Sequence, residues 1–158
     1  MWMKIQRMKT FIYSITLIVA ASSLMPIAKA NAAEKLLVTL RAGAYFRAGH
    51  EPDGMVLAQG WVTYHGSHSG FRVWNDEQKA GNTPAVLLLS GQQDPHHHIQ
   101  VRLEGEGWQP DTASGRGVIF RTTADNASFR VIVDGNQEVP ADTWTLDFKA
   151  CALAQEKA

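Results

Sequence analysis

The chain has 158 residues, which is enough for one domain with a buried core and too short for two such domains. Its 15 basic and 15 acidic residues balance, and no basic stripe or basic amphipathic helix is present. Nucleic acid and membrane surfaces are therefore not expected partners. A single cysteine excludes an internal disulfide.

The first thirty residues have the three-part pattern of a secretory signal peptide. Basic residues precede Phe11, an uncharged apolar run of about ten residues begins there, and Ala28-Lys29-Ala30 is a small-x-small cleavage site. We predict that residues 1–30 are a signal peptide, with either Met1 or Met8 as the start.

Export would change the charge balance of the protein. Residues 31–158 keep 11 basic and 15 acidic groups, so the exported chain carries a net charge of −4. An uncleaved membrane anchor is the alternative interpretation, and the helix-breaking Pro26 disfavours it.

Short segments of alternating or continuous apolar residues follow one another through residues 31–158. Turn-forming Gly, Pro, Asn and Asp separate them, and no window of a dozen residues keeps a helical period. This pattern predicts a single all-β domain, most simply a sandwich. The predicted strands, in chain order, are 36–41, 55–64, 71–74, 85–90, 99–104, 118–120, 129–133 and 144–151.

The last predicted strand, 144–151, needs a neighbour on each edge, yet only seven residues follow it. Along it, Leu146, Phe148 and Ala150 alternate with polar residues. The same parity places Cys151 on the polar side of the strand. A half-buried, unreactive thiol is the simplest interpretation of Cys151, since the sequence shows no neighbouring base.

The sequence offers few candidates for chemistry. His96 and His98 would share one face of a strand, a spacing that binds a metal weakly, but zinc needs three or four ligands. A polar strand start after a turn is the simpler interpretation, with His97 half-buried. His65 and His68 fall in a Gly/Ser loop and are expected to face solvent.

No phosphate-binding loop or nucleophile elbow is present, and the paired carboxylates fall in or beside turns. We therefore predict a protein that is not an enzyme and has no cofactor. Of the tryptophans after residue 30, Trp61, Trp74, Trp108 and Trp144, most are expected in the core, and one exposed at a rim would serve recognition.

Four stretches carry a family resemblance: GFRVWNDEQ (70–78), HHIQVRLEGEGWQP (97–110), GRGV (115–118) and FRVIVDGNQEVPADTW (129–144). Each is unspecific alone. In this order and spacing they resemble the minor-subunit invasin (AfaD-like) family of Afa/Dr-type fimbriae, including the tip subunits of the atypical (Saf) fimbriae of Salmonella. The resemblance covers nearly all of the exported domain and is weak before residue 60.

The resemblance implies an immunoglobulin-like sandwich that lacks its final strand. A periplasmic chaperone, and then a donor strand from the adjacent major pilin, would fill the gap, and an outer-membrane usher would export the subunit to the fimbrial tip. The implied role is adhesion to or invasion of host cells through a surface receptor, with biofilm formation as a further role. The donor-strand groove is expected to be lined by Leu36, Val38, Leu40, Leu146 and Phe148.

The chain departs from the family pattern in two places. Related invasins have a second-strand cysteine, and the matching segment GWVTYHG (60–66) has none, so Cys151 is expected to be unpaired. Residues 31–34 also leave little extension before the first strand. We expect a subunit that cannot donate a strand, which places it at the tip.

Two other classes of function remain as alternatives. A self-contained periplasmic β-sandwich that binds a metal or small ligand would have a closed edge beside its last strand. A small secreted hydrolase would have a convergent polar pocket with perturbed titratable groups.

Overall fold

The computed structural model describes residues 34–43, 47–76 and 81–155, together with the backbone of residues 12–13 and 78–79. Apart from residues 12–13, the predicted signal peptide lies outside the described residues. No helix that could span a membrane occurs among the residues described.

The described residues form thirteen β-strands and no helix. In chain order they are β1 (Ile12–Tyr13), β2 (Leu36–Ala42), β3 (Gly49–Glu51), β4 (Val56–Thr63), β5 (Gly70–Trp74), β6 (Gln78–Lys79), β7 (Val86–Ser90), β8 (His98–Glu104), β9 (Gln109–Pro110), β10 (Val118–Arg121), β11 (Asn126–Val133), β12 (Gln137–Val139) and β13 (Lys149–Leu153).

The strands build two main antiparallel sheets and one small one. The larger sheet has the order β1-β2-β4-β11-β8-β7-β6, and the second has the order β13-β5-β10-β9. Strands β12 and β3 pair separately. The inward faces of the two main sheets enclose the core, as expected for a sandwich in which each strand has one apolar face.

The core is centred on aromatic rings that connect the two sheets. The Phe129 ring, on β11, meets the ring of Trp108 at a centroid distance of 5.9 Å and that of Phe148 at 6.1 Å. Gly60 makes room for it, because a Cβ at Gly60 would lie 2.3 Å from the ring of Phe129. Burying each such side chain stabilises the fold by about 1.5–3 kcal/mol.

Seven of the eight predicted strands are confirmed to within three residues at each end. The bounds of the last one are wrong, since strand 144–151 was expected and β13 is Lys149–Leu153. Its partner β5 is only five residues long, so it pairs with nothing before Lys149, and Trp144 makes an isolated bridge to Gly91. The predicted parity is nevertheless confirmed, with Ala150 buried and Cys151 half-buried.

The DGN turn after β11 (residues 134–136) is held by a charged network. Arg102 Nη1 lies 2.7 Å from Asp53 Oδ1 and 2.9 Å from Asp134 Oδ1. Gly135, with φ of +81°, turns the chain and donates its N–H to Asp53. The hydrogen bond from Arg102 lowers the pKa of Asp53. Asp134 and Gly135, in one of the four stretches that carry the family resemblance, therefore serve to hold this turn in place.

Candidate functional site

A groove of about 390 Å³ lies between the start of β2 and the final strand β13. The two strands belong to different sheets, yet their Cα atoms come within 8 Å of each other. We call it the β2–β13 groove. Mostly apolar and small side chains line it: Glu34, Leu36, Tyr64, Ser67, Trp74, Ala150, Cys151, Ala152, Leu153 and Ala154.

One edge of β13 is open in the described part of the chain. Lys149–Leu153 pairs with β5, and no other described strand pairs with β13. Residues 145–148, immediately before it, belong to no strand. An open edge beside an apolar groove can accept a further strand, which pairs its backbone with the edge and buries alternate side chains.

The structure places one of the five predicted groove residues in the lining. Leu36 lines the β2–β13 groove. The side chains of Val38, Leu40, Leu146 and Phe148 are at most 4% exposed and belong to the hydrophobic core. The lining of the groove comes instead from β13 itself, where the small inward residues Ala150 and Ala152 leave space.

Cys151 lines the groove beside an ion pair on β5. Its register partner is Arg72, whose Nε lies 2.5 Å from Oδ2 of the buried Asp111. Burial raises the pKa of the Cys151 thiol, Arg72 acts in the opposite direction, and Asp111 raises it further. Cys151 is the one free cysteine of the chain, and the raised pKa makes its thiol a weak nucleophile.

The loop that carries the groove residue Ser67 also contains His68, which was expected to face solvent. That expectation is wrong, because His68 is 2% exposed. Its Nδ1 lies 2.6 Å from the carbonyl oxygen of Gly66, and its Nε2 lies 2.9 Å from that of Ala124. The ring also packs on Phe71 at a centroid distance of 4.6 Å. Ala124 is remote in sequence, so no local pattern could reveal this burial.

The His68 loop is tied to the end of β13. The N–H of Ser69 donates to the carbonyl of Leu153 at 2.9 Å, and its hydroxyl donates to that of Ala154 at 2.8 Å. The Ser67 hydroxyl donates to Oε1 of Gln155 at 2.6 Å. These bonds fix the loop that carries Ser67 against the end of the groove.

The histidine cluster at residues 96–98 has a structural partner. His97 is half-buried as predicted, and its Nδ1 lies 2.9 Å from Asp142 Oδ2. His96 and His98 do not share a strand, because β8 begins at His98 and His96 lies in the preceding turn. Within the described residues, no three His, Cys, Asp or Glu side chains are grouped to hold a metal ion.

Asp142 organises this turn. Burial raises its pKa, but backbone N–H groups of Gln93 and Thr143, the His97 ring and the N–H of Asp94 outweigh that effect and lower the pKa to about 2. A carboxylate with so many donors holds a loop in place and has no free lone pair for chemistry. The hydrogen bonds of Asp142 therefore indicate a structural role.

Two of the four tryptophans after residue 30 lie in the core, where most of them were expected. Trp144 and Trp108 are buried, at 1% and 8% exposure, and Trp108 Nε1 donates to the carbonyl of Ser128 at 2.7 Å. Trp74 is half-buried and lines the β2–β13 groove. Trp61, on the outer face of the larger sheet, is 37% exposed.

Known proteins match this fold and sequence. The family model "Enterobacteria AfaD invasin protein" matches residues 47–150. Protein AfaD of Escherichia coli is 32% identical over 107 residues, which cover 66% of this chain and 71% of that protein.

Two crystal structures are also similar. The Salmonella SafD adhesin is 87% identical, with a TM-score of 0.74 over 78% of this chain and 90% of that one. HdaB, the minor tip subunit of the E. coli Hda pilus, is 27% identical, with a TM-score of 0.71 over 76% of this chain and 84% of that one. The expected all-β, immunoglobulin-like fold lacking a strand is confirmed. The chain belongs to the AfaD invasin protein family of enterobacteria.

Proposed function

We propose that this protein is the minor tip subunit of a chaperone-usher fimbria, that it mediates adhesion to host cells, and that the β2–β13 groove accepts a donor strand from the adjacent major pilin. The observation that carries the proposal is the open edge of β13 beside an apolar groove. The adhesive role and the tip position follow from relatives named as an adhesin and as a minor tip subunit.

The groove is suited to an extended peptide. A strand laid along β13 would pair with backbone groups of Lys149–Leu153 and direct every second side chain toward Leu36, Ala150 and Ala152. The predicted liners Leu146 and Phe148 would support this wall from the core rather than contact the donor directly.

The edge of β2 already accepts a strand in this structure. Ile12 pairs with Leu37 and Tyr13 with Leu36, in antiparallel register. These two residues belong to the segment that the sequence predicts to be removed on export. This pairing supports the proposal, because an added strand is paired here with the backbone at Leu36 and Leu37.

The partners of such a subunit would act one after another. A periplasmic chaperone would cover the groove after export, an outer-membrane usher would exchange it for the major pilin's donor strand, and a host-cell surface receptor would be bound at the fimbrial tip. The protein would have no enzymatic activity, in agreement with relatives that are pilus and adhesin subunits and with the raised pKa of Cys151.

The test is a thermal melt of residues 31–158 with and without a peptide of the major pilin's donor strand. At a peptide concentration of about 100 Kd, binding to the folded state alone adds about 2.7 kcal/mol. For a domain of this size that corresponds to a rise in Tm of roughly 10 °C. A chain that is stable alone and indifferent to the peptide would contradict the proposal and favour a self-contained ligand-binding sandwich.

A matched pair of variants makes the test specific. Ala152→Arg places a charged side chain in the groove lining, and Ala141→Arg makes the same change at an exposed position outside that lining. We expect Ala152→Arg to lose the peptide-induced rise in Tm and Ala141→Arg to keep it. Equal responses of the two variants would show that the peptide binds elsewhere.

A further inference from the structure

Trp61 is an exposed aromatic residue on the outer face of the larger sheet, away from the inward-facing core. Its register partners are Thr39 on β2 and Ser128 on β11, and Val62 next to it points inward with no exposure. Leu37, also 37% exposed, lies diagonally across from it on β2. Trp61 is not needed to fill the core, so its exposure requires another explanation.

The side chains around Trp61 are short hydroxyls and amides. The hydroxyls of Thr39 and Ser128 form no hydrogen bond to another described residue, and neither does the indole N–H of Trp61. Next to them, the Thr63 hydroxyl donates to Asn126 Oδ1 at 2.7 Å, which leaves the amide NH₂ of Asn126 as a donor. The ring is thus surrounded by unused donors and acceptors.

This face also carries an arginine that forms no ion pair within the described part of the chain. Arg41 follows Thr39 by two residues on β2 and is exposed, and no described carboxylate lies within ion-pair distance of it. A second arginine of this face, Arg130 on β11, is held by Glu104 at 2.8 Å. An available guanidinium is notable on an exported chain of net charge −4, and it favours a carboxylate, which it binds in a bidentate manner.

We propose that the Trp61 face, formed by Trp61, Thr39, Ser128, Asn126 and Arg41, binds a carboxylate-bearing sugar such as a sialylated or uronic-acid glycan. The apolar face of a pyranose ring stacks on the indole, and its hydroxyls bond to Thr39, Ser128 and Asn126. Diagonal neighbours across strands lie about 7–8 Å apart, and their Cβ atoms are somewhat closer. A carboxylate on the stacked sugar is therefore within reach of the long Arg41 side chain.

The composition of this face distinguishes a sugar from a protein partner. A stable protein interface needs an apolar centre with several large anchors. The Trp61 face offers one aromatic ring among hydroxyls and amides, and Leu37 beside it is the one other large exposed apolar residue nearby in the described chain. That combination of one stacking platform with many hydrogen-bonding groups matches a saccharide. Single-site binding is weak, and many fimbriae on one cell raise the avidity.

The inference deepens the proposed adhesive function but uses residues separate from the β2–β13 groove. If the unsubstituted protein takes up the donor strand but binds no acidic sugar, this inference alone is overturned. Loss of donor-strand uptake with intact sugar binding would overturn the proposed assembly mechanism alone. The experiment uses the subunit completed with its donor-strand peptide, labelled with ¹⁵N.

The indole N–H signals are followed by NMR during titration with sialyllactose, sulfated lactose and lactose. The Trp61 signal, identified with Trp61→Phe, is expected to shift saturably with sialyllactose and roughly tenfold more weakly with lactose. Trp61→Ala should abolish binding. Arg41→Gln should remove the preference for the acidic sugar, whereas Arg121→Gln, an exposed arginine of the other sheet, should not.

Three outcomes would overturn the proposal. The first is a Trp61 signal that sialyllactose leaves unchanged. The second is equal binding of lactose and sialyllactose, or tighter binding of sulfated lactose, which would exclude a carboxylate-specific site. The third is concentration-dependent dimerisation that Trp61→Ala abolishes, since the face would then be covered by a second copy of the chain. Unchanged melting temperatures of the variants ensure that a loss of binding is not a loss of fold.

Discussion

The most informative prediction concerns the donor-strand peptide. We expect alanine substitutions along it to alternate in their effect on affinity. Substituting a large apolar residue that faces the β2–β13 groove should weaken binding strongly, and substituting the residue next to it should change binding little. The reason is the two-residue period of an extended strand paired with β13.

The magnitude follows from the length of β13. Five residues, Lys149–Leu153, offer pairing to a donor segment that directs two or three side chains into the groove. Its lining residues Ala150 and Ala152 are small and leave about 390 Å³ to be filled. Burying one Leu, Ile, Val or Phe side chain contributes about 1.5–3 kcal/mol. Each groove-facing alanine substitution should therefore raise Kd about tenfold to a hundredfold.

Isothermal titration calorimetry of residues 31–158 with the peptide series measures these changes. Outward-facing substitutions in the same peptide serve as controls, with less than about a threefold change expected, because surface positions contribute little. A series in which Kd rises equally at successive positions would refute the reasoning. It would show that the peptide does not bind as an extended strand with one face in the groove.

Four further predictions can be tested with the same protein. The maleimide labelling rate of Cys151, a residue of the groove lining, should fall several-fold when the donor peptide is bound, whereas an unchanged rate would mean that the peptide lies elsewhere. Asp142 has a folded pKa of about 2, below its ordinary 3.8, so its stabilising effect should be complete above pH 4 and disappear as the pH falls through 2. Thermal melts should show a lower Tm for Asp142→Asn than for the wild type at neutral pH, and a Tm that depends less on pH in this range. A pH dependence as steep as that of the wild type would contradict this. Gly60→Ala should destabilise the fold by about 1–3 kcal/mol in urea unfolding, because the added Cβ would lie 2.3 Å from the Phe129 ring, and wild-type stability would show that the core adjusts. His68→Ala should lower Tm and increase proteolysis of the loop before β5, since it removes both carbonyl contacts, and an unchanged digestion pattern would exclude this role.

The open edge of the last strand was predicted from the sequence on two grounds: the pattern of alternating residues and the resemblance to a known family. Period-two alternation predicted the main strands, because each has one face in the core and that face must be apolar. The alternation could not reveal where pairing stops. Residues 145–148 keep the pattern of a strand without forming one, because the partner strand β5 ends at Trp74.

The groove lining is a second case in which the sequence indicated hydrophobicity but not position in the fold. The sequence favoured the large apolar residues Leu146 and Phe148, since size and hydrophobicity are visible in a sequence. The structure shows that these side chains fill the core, and that the groove lies where Ala150 and Ala152 leave space. Small residues create a groove only through what surrounds them, and that depends on how the two sheets approach each other.

The sequence by itself determined the all-β class, the position of most strands, the single unpaired cysteine and the family. These depend on local alternation, turn residues and composition, which are all properties of neighbouring positions. Only the tertiary structure decided that His68 is buried against a carbonyl from Ala124 and that Trp61 stands among unused hydroxyls from two other strands. Such contacts join residues far apart in the chain, and their energies depend on distances that exist only after folding.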